Sequence, residues 1–160
     1  MAPSPDAVRL HAQLLDRSLP KPEWTHEAHL IACWVELSVR GGDVDATLDS
    51  LRDVIRSYNE ATGVANTSTG GYHETITRYY VEAVAAVDAT TVDELLADPR
   101  CSRDAPLRLW PKEILFTPEA RATWLPPTKR VGCRRERGGA AETFPEITRL
   151  RSFRGASRVG

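Results

Sequence analysis

Three of the chain's four histidines fall in two short segments, Trp24-Thr25-His26-Glu27-Ala28-His29-Leu30 and Tyr72-His73-Glu74-Thr75-Ile76-Thr77. Three imidazoles suffice to hold a transition metal, and two at i and i+3 share one helical face. A site of His26, His29 and His73 around one Fe, Cu or Zn ion is therefore the leading expectation. Open coordination positions would suit Zn as Lewis acid or water activator, and Fe or Cu for oxygen chemistry. Within that set the preference goes to a non-heme metal-dependent oxidoreductase. Neutral ligands with few carboxylates nearby argue against Mg or Ca.

Each segment lies where a helix should begin. The positive end of a helix dipole disfavours imidazolium and keeps the ring neutral. Neutral imidazole is what a metal needs and equally what a general base needs. A second reading is therefore a metal-independent lyase, isomerase or cyclase, with His73 and Glu74 in acid–base roles. A third is a ligand-binding protein whose histidines hold a carboxylate without turnover. Glu74 is expected as ligand or base, with an ion pair to Arg78 one turn on as its structural alternative. Trp24, Asn66, Thr77, Tyr80 and Arg108 are the expected substrate contacts, and Arg121 is a further candidate clamp for an anion. Cys33 shares the histidine stripe and reads as a small core residue. His11 has no acid or histidine near it in sequence and reads as structural or exposed.

The elements that must position these groups are helical. Val8, Leu10, Leu14 and Leu15 mark a first helix from Asp6 to about Leu19, ending before Pro20 and Pro22. A second begins after Thr25 as N-cap and stops at Gly41-Gly42. On it His26, His29, Leu30, Cys33 and Leu37 form one stripe, with Glu36 and Arg40 pointing elsewhere. The stripe Val44, Leu48, Leu51, Ile55, Tyr58 predicts a third helix over roughly 43–62. Turn-forming residues fill 64–71, and a fourth helix is expected from near Tyr72 through Val87. Thr91-Val92-Asp93-Glu94 reads as a capping box. An irregular layer with one short helix after Thr117 should cover 106–127. No segment alternates as a strand would, so the fold class is all-α: a small bundle of four main helices with short ones and an irregular C-terminal layer.

Trp24-Thr25-His26, Ala28-His29-Leu30, Tyr58-Asn59, Asn66-Thr67, Gly71 to Thr77, Pro106-Leu107, Leu115 to Arg121 and Trp124 resemble a family of small uncharacterised bacterial proteins. The likeness runs from about Leu19 to Pro127. It implies a small soluble protein whose two histidine segments act together, and it carries no established activity. The family tends to end soon after Trp124, whereas this chain continues into a basic tail.

Composition agrees with one domain over 1–128 and a tail over 129–160. The chain has 160 residues, 41% of them hydrophobic and 27% charged, long enough to bury about two-thirds of its unfolded surface. Net charge is -1, so no general attraction to nucleic acid or membrane is expected. From Lys129 onward nine basic residues meet three acids; a flexible tail is the expectation there, and DNA binding a remote one. The start of the chain lacks a basic and then apolar leader, and three widely spaced cysteines suit reduced thiols in a cytoplasm. A small-molecule substrate is the expected partner. A second copy of the chain is possible, but no heptad run specifies one.

Overall fold

Ser4, Thr25, Asp43, His73, Thr91 and Thr117 each start a helix by accepting a hydrogen bond from the backbone N–H three residues on. Five are residue types that favour this position; His73 is not. The computed structural model describes residues 3–128, so the basic tail and Cys133 lie outside the described residues. The helices are α1 (Pro5–Leu15), α2 (His26–Val39), α3 (Val44–Ala61), α4 (Glu74–Ala85), α5 (Val92–Ala97), α6 (Lys112–Leu115) and α7 (Pro118–Ala122). Short 3₁₀ turns at Lys21–Glu23, Pro99–Cys101 and Ala105–Arg108 complete the chain path. No strand occurs among the described residues, and no described helix is long and apolar enough to cross a membrane.

The architecture is the expected all-α bundle, with differences at helix ends. α1 stops at Leu15 because Arg17 turns left-handed at φ 65°. The layer after residue 105 holds two short helices, α6 and α7, where one was expected. The capping box at Thr91 and Glu94 forms in full. α4 begins two residues later than the stripe implied, and that shift governs the fate of His73.

α2 is the central helix, packed against α1, α3, α4 and α5. Its one-stripe reading was incomplete. Ala28, Leu30, Ala32, Cys33, Trp34, Val35, Glu36 and Leu37 are all buried. Leu30, Cys33, Trp34 and Leu37 join Leu48, Leu51, Ile55, Val81 and Val84 in the main core, while Ala32 meets Leu14, Leu19 and Tyr58 in a second one. Glu36, on the second buried face, accepts a 2.7 Å hydrogen bond from His11 of α1 and a 2.6 Å one from Arg40. His11 is thus a buried partner of an acid 25 residues away, a pairing that sequence proximity could not reveal.

The 64–71 loop is pinned by Asn66. Its side-chain carbonyl accepts from Asn59 Nδ2 and the Tyr72 backbone N–H, and its amide donates to the Arg56 carbonyl. Gly71 sits at φ +75°, and a Cβ there would lie 2.7 Å from both the Ala65 carbonyl oxygen and Asn66 Oδ1. Only glycine lets the chain pass this close to Asn66 and turn into α4. Arg121 of α7 donates to the Gly71 and Tyr72 carbonyls, and Thr75 donates to the Thr123 carbonyl. The C-terminal layer is thereby tied to the start of α4.

Candidate functional site

The three histidines do not meet. His73 is the N-cap of α4: its Nδ1 accepts from the Ile76 N–H, and its Nε2–H donates to the Leu115 carbonyl at 2.8 Å. Both ring nitrogens are used by backbone groups, and the ring stands edge-on to Phe116 of the C-terminal layer. His26 donates Nε2–H to the Cys101 carbonyl at 2.8 Å. His29 donates Nδ1–H to the carbonyl of Thr25, 2.6 Å away and one turn back. Among the described residues no three His, Cys, Asp or Glu side chains are placed to hold a metal ion. The three rings are thus held in separate places by backbone carbonyls, and His73 alone has both nitrogens engaged, while His26 and His29 each use one.

Glu74 is held by side chains of its own surroundings. Arg52 of α3 grips both its oxygens, at 2.9 and 2.8 Å, and the Tyr72 hydroxyl donates a third bond at 3.0 Å. Burial works to raise the carboxyl pKa, but the bonds from Arg52 and Tyr72 outweigh it and hold Glu74 ionised below the usual range. The partner is Arg52, not the expected Arg78, which pairs with Glu82 and Asp45.

His26 and His29 do share a cavity. It holds about 420 Å³ between the start of α2, the middle of α3 and α4. Leu51, Ile55, Ile76 and Val81 give it an apolar floor, and Cys33 closes the depth. Trp24 stacks on His29 with ring centroids 3.6 Å apart and planes at 26°. Trp24 thus serves both as packing for the first turn of α2 and as cavity wall. Thr77 and Tyr80 line it as expected, one helical turn apart on α4. An adjoining cavity of about 330 Å³ shares Trp24, His29, Ile55, Ile76 and Thr77 and extends to Asn59, Tyr72 and His73.

Two expected contacts lie elsewhere. Asn66 is spent on the loop, and Arg108 lines a separate groove with Trp110 and Trp124 while it reaches Ser102 and Asp104. The cation at the His29 cavity is Arg103, which sequence reading missed. Tyr80 sets its position: the phenol hydroxyl sends hydrogen bonds to the Ser102 and Arg103 carbonyls. Tyr79 likewise holds the Arg100 carbonyl, so adjacent tyrosines of α4 clamp the 100–103 segment over the cavity. No motif marks Arg103; its place depends on a loop folding back onto α4.

His29 has a strongly perturbed ionisation, and the shift is toward the neutral form. Burial lowers its pKa from 6.5 to about 4, with smaller contributions from the charges of His26 and Arg103, against a raising effect from the Thr25 carbonyl. The ring is neutral at pH 7. Its proton sits on Nδ1, because a carbonyl can only accept. Nε2 keeps a lone pair and has no protein partner among the described residues. Between pH 6.5 and about 4 the unfolded chain binds a proton that the folded one refuses, so stability falls as pH drops through this window. Cys33, by contrast, is inert, since burial pushes its thiol far above the ordinary range.

Compared with known proteins, the chain matches no family model, no curated protein and no solved structure.

Proposed function

We propose that the chain binds a small, largely apolar molecule in the cavity of α2, α3 and α4 and that His29 acts on it as a metal-independent acid–base group. The observation that carries this reading is the state of His29: neutral, fixed in one tautomer by Thr25, and with Nε2 left for a bound molecule. A cavity of about 420 Å³ lies within the range of small-molecule sites, which combine apolar walls with a few polar groups. One base that takes a proton and returns it is sufficient for isomerisation or elimination. Glu74, in its ion pair with Arg52, has no part in this chemistry. Among the described residues Cys33 and Cys101 are free and buried, which suits a reducing cytoplasm.

A thermal-shift screen of small apolar compounds in the presence of a chelator finds the ligands, since a bound molecule raises the melting temperature. Turnover of each hit is then followed by mass spectrometry. His29→Gln is expected to cut turnover at least about 100-fold while binding persists. Turnover that a chelator abolishes and added metal restores would contradict this reading and return the metal centre to the front. Binding without turnover in the wild type would leave a ligand carrier in place of an enzyme.

A further inference from the structure

Among the described residues that line the cavity there is no aspartate or glutamate, and Arg103 is the one permanently charged side chain. The neighbouring arginines are satisfied: Arg100 holds Asp98 at 2.8 Å and Arg108 approaches Asp104 at 3.7 Å. The Arg103 guanidinium forms no ion pair among the described residues. Arg103 is itself solvent-exposed; Glu27, also exposed, feels its charge but is turned to its own backbone and Thr25. An unpaired guanidinium beside an apolar chamber is a complement waiting for an anion, because guanidinium pairs with carboxylate through parallel hydrogen bonds. Trp24 and His29, stacked on each other, add aromatic surface to the wall.

We propose that the ligand is a hydrophobic monocarboxylate, its flat apolar body between the Trp24–His29 wall and the aliphatic floor and its carboxylate at Arg103. This rests on the cavity being the ligand site, as argued above. A single fixed positive charge suits a monoanion better than a phosphate dianion, and a cationic ligand would meet repulsion with no acid to receive it. The bound carboxylate also favours the protonated form of a nearby imidazole. Ligand binding would therefore move His29 toward the range in which a base works near neutral pH, so the charge at Arg103 and the proton at His29 belong to one site.

Titration of the full chain with 2-naphthoate, its neutral amide and 2-naphthylmethylamine tests this, in wild type, Arg103→Gln and the cavity-filling Thr77→Phe. Melting temperatures confirm that each variant is folded. Naphthoate is expected to bind the wild type at least about tenfold more tightly than the amide, with the amine weakest. Arg103→Gln should erase the naphthoate advantage and leave the amide unchanged; Thr77→Phe should remove both. Equal binding of acid and amide, or an acid preference that survives Arg103→Gln, overturns the carboxylate assignment while loss in Thr77→Phe keeps the cavity. Failure of all three probes, or binding indifferent to Thr77→Phe, takes down the cavity reading together with this proposal.

Discussion

Replacing His73 by alanine is expected to cost about 2–3 kcal/mol of stability while ligand binding in the His29 cavity stays intact. The cost has three sources. Loss of an N-cap acceptor removes about 1 kcal/mol, since the Ile76 N–H loses its partner. Loss of the bond to the Leu115 carbonyl removes about another 1 kcal/mol and unties α6 from α4. The remainder is the space left by a ring that is 8% exposed. Thermal unfolding should register a drop of roughly 8–10 °C. His73→Asn should recover about 1 kcal/mol, because asparagine is a good N-cap but cannot reach Leu115 as well. Burial lowers the His73 pKa, and a proton on Nδ1 would abolish the cap. His73→Ala should therefore also flatten the loss of stability as pH falls below about 6.5. A His73→Ala protein that keeps its melting temperature and loses binding would mean that this ring serves the ligand after all.

Arg52→Met is the second large expected effect, at about 2–3 kcal/mol. Glu74 is 8% exposed, and without Arg52 its charge would be left among Tyr72, α3 and α4 with one hydroxyl for company. Removing one partner of a buried pair costs about 3–5 kcal/mol, reduced here because the Arg52 side chain is 31% exposed. Glu74→Gln alone should cost less, since the amide keeps a bond to Tyr72 or Arg52. The double variant Arg52→Met/Glu74→Leu should be more stable than Arg52→Met, because the orphaned charge is gone. Urea unfolding of the four proteins measures this directly. Turnover that falls in Glu74→Gln at unchanged stability would restore Glu74 to a catalytic role.

These two residues show what the sequence could and could not disclose. Helix faces follow from a 3.6-residue period, so the stripes of α3 and α4, one of the two buried faces of α2, and with them Thr77 and Tyr80 on the cavity, were legible. Caps made by Thr25, Thr91 and Thr117 were legible because their hydroxyls serve the same purpose wherever they precede a helix. His73 was misplaced by one step: read as the first inward residue of α4, it is the cap that precedes α4. Histidine seldom caps, and the left-handed Gly71 that directs it there gives no hint of the distant Leu115 carbonyl. The i+4 rule offered Arg78 as the structural alternative for Glu74, yet Arg52 on another helix gives a planar, bidentate match. Arg103 was invisible for the same reason as the His11–Glu36 pair: only the packing of distant segments brings each into place.

The central claim is that His29 acts on the bound molecule, neutral and proton-bearing at Nδ1, with Nε2 available to it. A ¹⁵N NMR titration of the imidazoles in the full chain, with His29→Gln to assign the signals, tests it most directly. The expected result is a His29 ring that stays in the Nδ1–H form from neutral pH down to a midpoint near 4, with Nε2 shifting when naphthoate is added. A proton on Nε2 would contradict the account, because the neutral ring would then present no lone pair to the cavity; a midpoint near the ordinary 6.5 would contradict the burial that holds the ring neutral.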